Sequence, residues 1–171
     1  GGGIYSQGGS TVQLNNSRIA NNSSLAGGGV YFTGEDLSIQ SSIIDSNNTT
    51  SAGGGIYIWS GYTKIDNSVI SNNGSQGGGG GIIHYSGDES LTIINTTITN
   101  NTVQNASING GGFYSTADTV NVINSILWNN SPQQISATGT LNLNINHSNI
   151  DGGSDGIYYY AGGAQVTLTY T

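Results

Sequence analysis

Apolar residues recur at fixed intervals along this chain, each time within a short segment where apolar and polar positions alternate. The first apolar position of every interval follows a run of glycines. Those runs open at Gly1, Gly27, Gly53, Gly79 and Gly110. The first three intervals are 26 residues long, and the fourth is 31 residues long because of an insertion near residues 103–109. Self-similarity at such a period is typical of solenoid and other repeat architectures.

Aligning the repeats gives three apolar columns. The first column is Ile4, Val30, Ile56, Ile82, Phe113 and Ile157. The second is an alternating pair: Val12/Leu14, Leu37/Ile39, Thr63/Ile65, Leu91/Ile93, Val120/Val122, Leu143/Ile145 and Val166/Leu168. The third begins two residues after a Ser or Thr and comprises Ile19, Ile44, Ile70, Ile98, Leu127 and Ile150. Alternation with period two predicts β-strands, because successive side chains of a strand point to opposite faces.

The repeat decides the predicted fold class. Three short strands within 26 residues cannot bury a core alone, whereas stacked copies can, since each apolar column then packs on its copy in the next coil. The many glycines and β-branched residues disfavour helix. We therefore predict an all-β parallel solenoid of six to seven coils, with a single domain over residues 1–171. Neither end shows a cap, which predicts a piece of a longer rod or a subunit that stacks end to end.

A column of asparagines lies three residues after the third apolar column. Asparagine tolerates the left-handed conformation that a tight turn needs. Stacked amides can also hydrogen-bond to one another along the axis of a solenoid. We therefore predict a structural asparagine ladder rather than a glycan-bearing surface. Its members are Asn22, Asn47, Asn73, Asn101 and Asn130.

Composition excludes several functional classes. Only 6% of the residues are charged, and two cations stand against nine acidic residues, for a net charge of −7. Binding to nucleic acid or to an acidic membrane surface needs clustered Lys or Arg, so neither partner is expected. The chain has no cysteine, which removes disulfides and thiolate metal sites. No apolar run approaches the ~18 residues of a membrane span, so no membrane insertion is predicted.

Candidate catalytic groups are sparse. The two cations, Arg18 and Lys64, lie on different strands, and neither has a cluster of carboxylates at a matching position of a neighbouring coil. Asp45 and Asp66 are in neighbouring coils but on different strands, whereas a glycoside hydrolase needs its two carboxylates close together. We therefore predict that the protein is not an enzyme.

Two histidines and one glycine-rich acidic loop are the remaining candidate sites. His84 and His147 have no partner in a triad arrangement, so we predict packed or solvated histidines. Asp151 and Asp155 lie in one Gly-rich loop where oxygen ligands could converge on calcium. They are weak calcium candidates, and a calcium site there predicts a higher melting temperature in millimolar calcium. No other cofactor is expected.

An aromatic row follows the first apolar column. If that column faces inward, the next residue and the residue two places later face outward. Exposed aromatic rows mark contact surfaces, and flat rings suit sugar faces or protein partners. The alternative is a ladder of stacked rings that stabilises neighbouring strands. The outward aromatic residues are Tyr5, Tyr31, Tyr57, Trp59, Tyr85, Tyr114, Tyr158 and Tyr160; the candidate binding residues among them are Tyr31, Tyr57, Trp59, Tyr85 and Tyr114.

The pattern Gly-Gly-Gly-Ile-Tyr at 53–57, followed by Ser-Val-Ile-Ser-Asn-Asn at 68–73, resembles the repeats of right-handed parallel β-helices of the pectin-lyase-like superfamily. More narrowly, it is similar to the repeats of polymorphic outer-membrane-type surface proteins, which carry a Gly-Gly-apolar motif and an apolar-x-x-Asn motif. The second motif recurs at 70–73, 98–101 and 127–130. The resemblance implies a right-handed β-helix and an extracellular, bacterial-type surface protein. It leaves activity open, because this scaffold hosts lyases, hydrolases, adhesins and structural rods.

Together with the extracellular location that the resemblance implies, these features predict a non-catalytic rod with a structural and adhesive role. Its expected partners are other copies of itself, or glycans and proteins at the cell surface. One alternative is a self-assembling filament or sheath subunit that stacks end to end. A second alternative is a carbohydrate-binding or polysaccharide-degrading β-helix module.

Overall fold

The computed structural model describes residues 1–85, 89–105, 110–116, 119–139 and 141–159, and the backbone of 165–169. Within these ranges the chain consists of short parallel strands and one 3₁₀ helix. The strands wind into a solenoid of about six turns. The predicted all-β parallel solenoid is therefore confirmed.

The strands follow one another in the same order in each coil. In the first four coils they are β1 (Ile4–Gln7), β2 (Thr11–Asn15), β3 (Arg18–Ala20), β4 (Ser23–Ser24), β5 (Val30–Gln40), β6 (Ile43–Asp45), β7 (Asn48–Thr49), β8 (Ile56–Asp66), β9 (Val69–Ser71), β10 (Gly74–Ser75), β11 (Ile82–His84), β12 (Ser90–Ile94), β13 (Thr97–Thr99) and β14 (Thr102–Val103). The later coils contain β15 (Phe113–Ser115), β16 (Thr119–Ile123), β17 (Ile126–Trp128), β18 (Ile135–Ala137), β19 (Asn142–Asn146), β20 (Asn149–Ile150), β21 (Ile157–Tyr159) and β22 (Gln165–Thr169), with the 3₁₀ helix at Gly153–Gly156.

Each predicted apolar column is a line of paired residues in a parallel sheet. Successive partners in the first column are Ile4, Val30, Ile56, Ile82, Phe113, Ile135 and Ile157. Ile135 fills the place that alignment on glycine runs left open, because the sequence before it is Ser-Pro-Gln-Gln rather than a glycine run. The second and third columns pair as predicted.

Two features of the sheets go beyond the sequence pattern. A fourth, two-residue strand closes each of the first four coils, and β4, β7, β10 and β14 form a small sheet of their own. Two residues are too few to show an alternation, so the pattern could not reveal it. In coils two and three, β5 and β8 run without a break from the first column into the second, with register shifts next to Thr33.

The coils stack so closely that the turn before the first column requires glycine. A Cβ atom on Gly54 would lie 2.4 Å from the carbonyl oxygen of Gly80 and 2.5 Å from that of Gly74. The same crowding recurs at Gly28, where the nearest atom, the oxygen of Gly54, is at 2.3 Å. The glycine runs therefore let neighbouring backbones approach one another.

Two corners of each coil hold a residue in the left-handed conformation. The first set of corner residues is Asn16, Ser41, Asn67, Asn95, Asn124 and His147, and the second is Asn21, Ser46, Asn72, Asn100 and Asn129. The second set lies one residue before the predicted asparagine ladder. The expectation that the ladder asparagines themselves adopt the turn conformation is therefore wrong: the preceding residue turns the chain, and this directs the ladder side chain inward.

Candidate functional site

The predicted asparagine ladder is present, and Asn73 shows its geometry. The Nδ2 atom of Asn73 donates to the Oδ1 atom of Asn101 at 2.9 Å and to the carbonyl oxygen of Ile44 at 3.0 Å. The backbone nitrogen of Asn73 also donates to the same Oδ1 atom, at 3.0 Å. In turn, Oδ1 of Asn73 accepts two bonds of 3.0 Å from the backbone and side-chain nitrogens of Asn47. Each buried amide therefore ties its own coil to both neighbouring coils.

The ladder runs from coil one to coil five and ends on a glutamine. Asn22 donates to Asn47 in the same double arrangement. At the other end, the backbone and side-chain nitrogens of Asn130 donate to Oε1 of Gln134, at 3.2 and 2.7 Å. Gln134 was not predicted, because its place at the end of the column depends on the path of the loop at 131–134.

A second polar ladder uses hydroxyl groups at the corner before the third column. The Oγ atom of Ser68 accepts from the backbone nitrogen of Ser42 at 3.1 Å and donates to the carbonyl oxygen of Asp66 at 2.8 Å. The same pair of bonds recurs from coil to coil. The sequence showed this column but not its role. Its members are Ser17, Ser42, Ser68, Thr96, Ser125 and Ser148.

The aromatic rings outside the first column form one continuous array. The rings of Tyr5 and Tyr31 stack with centroids 5.2 Å apart, and those of Tyr31 and Tyr57 stack at 4.9 Å. The Trp59 ring lies nearly parallel to that of Tyr57 at 6.3 Å. These pairs show that stacked rings link the outer surfaces of the first three coils.

Further along the rod the rings tilt. Tyr85 lies 5.7 Å from both Tyr57 and Trp59, at interplanar angles of 55° and 54°. It meets Tyr114 edge-on at 5.9 Å. The five predicted binding residues thus lie together, and we call them and Tyr5 the aromatic array. Tyr160 lies outside the described residues.

Exposure along the aromatic array is uneven, which corrects the expectation of a fully exposed stripe. Tyr57 retains only 9% of its accessible surface, and Ile83, its paired residue in the next coil, retains none. With Ala52 they form a small apolar cluster outside the main core, because the neighbouring rings and the preceding turn cover them. Trp59 and Tyr5 remain 55% and 60% exposed. Trp59 is therefore the ring at the middle of the array that a partner can reach.

Because the Tyr57 side chain is covered, we expect its hydroxyl group to lose its proton only at high pH. Burial, and then the nearby Tyr85 and Tyr31, raise the pKa of Tyr57 to about 12. Because a raised pKa favours the protonated folded state, the contribution of Tyr57 to stability is present below pH 10 and is lost as the pH rises towards 12. Absorbance titration at 295 nm should therefore show that Tyr57→Phe removes a transition near pH 12. Removal of a transition near pH 10 instead would contradict the covered geometry.

Each of the two cations, Arg18 and Lys64, pairs with one carboxylate. Arg18 Nη2 lies 3.0 Å from Oδ2 of Asp45, whose Oδ1 accepts from Ser71 and Asn72 at 3.0 and 2.8 Å. The bond from Asn72, above the other contacts, lowers the pKa of Asp45. Lys64 Nζ lies 3.3 Å from Oδ2 of Asp66. Each cation thus pairs with a single carboxylate, and the two carboxylates lie on different strands. Isolated pairs of this kind indicate a structural role.

The family model described as "Right handed beta helix region" matches residues 2–170. The chain belongs to the right-handed β-helix family. No curated protein and no solved structure matches this β-helix significantly.

The interior of the β-helix contains one imidazole. His84 lies between Ile58 and Ser115 in an inward-facing column and is fully buried. Neither ring nitrogen has a hydrogen-bond partner of acceptable geometry. Burial lowers the pKa of His84 to about 4, and the nearby backbone of Gly61 offsets only part of that effect. His84 is thus a packed histidine, as predicted.

Asp151, one of the two weak calcium candidates, accepts hydrogen bonds within the β-helix. Oδ2 of Asp151 accepts from the backbone nitrogen of Asn129 at 3.2 Å and from Gln134 Nε2 at 3.5 Å. Asp155 lies on the 3₁₀ helix and is exposed. Among the described residues no three His, Cys, Asp or Glu side chains group as a metal site. The same residues include no helix with the length and hydropathy of a membrane span.

Proposed function

We propose that this β-helix is a rigid, non-catalytic rod of an extracellular, bacterial-type surface or secreted protein, and that it adheres to glycans or proteins through the aromatic array. The observation that carries the proposal is the position of Trp59, which is exposed while its neighbour Tyr57 is covered. A side chain that stands on a packed base loses little conformational freedom when it binds, and this favours affinity.

The polar ladders support the mechanical part of the proposal. The asparagine and hydroxyl ladders satisfy buried donors and acceptors in consecutive coils. A buried polar network in which every member is bonded stabilises one register of the coils over others. A rod whose coils have one register holds the rings of the aromatic array at fixed positions relative to one another.

The adhesive part can be tested by replacing the exposed ring. Purified chain should be applied to immobilised neutral and acidic glycans and to extracellular proteins, as the wild type and as Trp59→Ala. We expect Trp59→Ala to weaken binding at least tenfold, because stacking on an exposed ring supplies much of the contact. Tyr62→Ala is the matched control, since Tyr62 is similarly exposed but lies outside the aromatic array.

The outcome separates a binding role from a folding role. The melting temperature of Trp59→Ala should stay close to that of the wild type, because the ring is more than half exposed. Equal losses of binding in Trp59→Ala and Tyr62→Ala would contradict a specific role for the array. Unchanged binding in Trp59→Ala would contradict the proposed contact surface.

A further inference from the structure

The asparagine ladder contains one member that is followed by glycine. Asn73 precedes Gly74, whereas the other ladder residues precede serine, asparagine or threonine. The same dipeptide occurs at 109–110, where Asn109 lies outside the described residues. An asparagine before glycine is especially prone to deamidation, because glycine has no side chain to hinder attack by its backbone nitrogen and adopts the backbone angles that ring closure needs.

Deamidation at this position uses only atoms of the chain and water. The backbone nitrogen of Gly74 attacks Cγ of Asn73, and a new carbon–nitrogen bond closes a succinimide ring. The bond from Cγ to Nδ2 breaks, and Nδ2 leaves as ammonia with the proton that the backbone nitrogen gives up. Water then opens the ring at either carbonyl group and leaves aspartate or isoaspartate. The step therefore needs no oxidant and no cofactor.

In the folded rod, hydrogen bonds hold both reacting groups. Nδ2 of Asn73 donates to Asn101 in coil four and to the carbonyl oxygen of Ile44 in coil two. Oδ1 of Asn73 accepts two bonds from Asn47. The backbone nitrogen of Gly74, which is the attacking atom, donates to the carbonyl oxygen of Asn47 at 2.9 Å. Deamidation therefore requires coil three to separate locally from coils two and four.

The packing around Asn73 also keeps water away. Asn73 is fully buried. A Cβ atom on Gly55 would lie 3.1 Å from both Cγ and Nδ2 of Asn73, so the glycine turn of coil three lies directly against the amide. A group buried in this way meets water only when the surrounding structure opens locally.

We infer that Asn73 is a modification site at which opening of coil three leads to irreversible deamidation. The closed rod protects the amide, and each opening exposes it to attack by Gly74. The carboxylate of the product cannot donate to Oδ1 of Asn101 or to the carbonyl oxygen of Ile44. A buried negative charge that faces two acceptors is unfavourable. The modified coil therefore does not regain the ladder, and a transient opening becomes permanent.

Protection by the fold is tested by comparing folded and unfolded protein in mildly alkaline buffer. Mass spectrometry of peptic peptides should measure aspartate and isoaspartate at Asn73 separately from those at Asn109. We expect the reaction at Asn73 to be at least about tenfold slower in the folded rod than in urea that unfolds the chain. Equal rates in the two conditions would overturn the inference.

Gly74→Ser is the matched control for the chemistry. Serine already occupies the corresponding place two coils earlier, at Ser23. The added side chain should slow the reaction at Asn73 in the unfolded chain, because it hinders the attacking nitrogen. An unchanged rate in the unfolded variant would show that the modification does not pass through Gly74.

Coupling to coil opening is tested with Asn101→Ala, which removes the acceptor for both nitrogens of Asn73. We expect the folded variant to deamidate at Asn73 at least about tenfold faster than the wild type. Tyr62→Ala, which alters the same coil outside the ladder, should not change the rate. If Asn101→Ala does not fold, the wild-type rate should rise with urea below the unfolding transition. No rise in whichever of these two experiments applies would contradict the coupling.

Irreversibility is tested with Asn73→Asp, which reproduces one of the two products. Asn48→Asp adds the same charge at an exposed residue paired with Gly74. We expect Asn73→Asp to unfold at a lower urea concentration than the wild type and Asn48→Asp to unfold close to it. Equal midpoints for Asn73→Asp and the wild type would overturn the inference. These measurements are independent of whether the aromatic array binds a partner, so the two proposals fail separately.

Discussion

Replacing Asn73 with alanine is expected to lower the free energy of unfolding by about 4 kcal/mol. The substitution removes the acceptor for two nitrogens of Asn47 and the donor to the carbonyl oxygen of Ile44. These groups are buried, and each buried group left without a partner costs about 1–3 kcal/mol. Equilibrium unfolding in urea, followed by circular dichroism, measures the loss.

Asn22→Ala is the matched control for this prediction. Asn22 makes the same donor bonds to Asn47, but it is only half-buried, so water can replace some of what is lost. We expect a loss of about 1 kcal/mol at Asn22. Equal, small losses at the two positions would show that the ladder does not stabilise the rod.

Acidification should destabilise the rod through His84, by about 3 kcal/mol between neutral pH and pH 4. The folded-state pKa of His84 is about 4 and its ordinary value is 6.5. The unfolded chain therefore binds a proton more readily, and stability is fully present above pH 6.5 and falls as the pH drops towards 4. No Asp or Glu among the described residues is buried in the core to pair with the imidazolium ion.

His84→Ile isolates this effect, since isoleucine already occupies the matching position at Ile58. The melting temperature of the wild type should fall more steeply from pH 7 to pH 4 than that of the variant. Asp45→Asn serves as the control, because the lowered pKa of Asp45 adds a loss of stability as the pH falls further. The Asp45→Asn variant retains His84, so its melting temperature should still fall between pH 7 and pH 4. Parallel curves for the wild type and His84→Ile would contradict the buried position.

Much of the fold could be predicted because one signal is repeated. Period-two alternation at three places per coil determines which side chains face inward, and Ile56, Ile65 and Ile70 of coil three are all buried as expected. The short fourth strand escaped prediction, since its two residues carry no period. Ile135 escaped because its coil lacks the glycine run on which the repeats were aligned.

The candidate site was harder to predict from the sequence, because the exposure of each side chain depends on its neighbours in other coils. Alternation placed Tyr57 and Trp59 on the outer side correctly, but it could not show that other rings and Ala52 cover Tyr57. Likewise, the asparagine column was visible, yet which residue turns the chain and which one bonds along the axis depends on backbone angles. The end of the ladder on Gln134 depends on the loop at 131–134, which stands where the first five coils have a glycine run.

The central claim, an adhesive rod without catalysis, is tested most directly by measuring binding and turnover on the same sample. The purified chain should be incubated with immobilised polysaccharides, neutral and acidic, and both the retained protein and the newly formed reducing ends and unsaturated products should be quantified. We expect the immobilised polysaccharides to retain the wild-type protein and to retain less of the Trp59→Ala variant. We also expect no more product than a heat-denatured control forms. Product that accumulates with time and with protein concentration would contradict it.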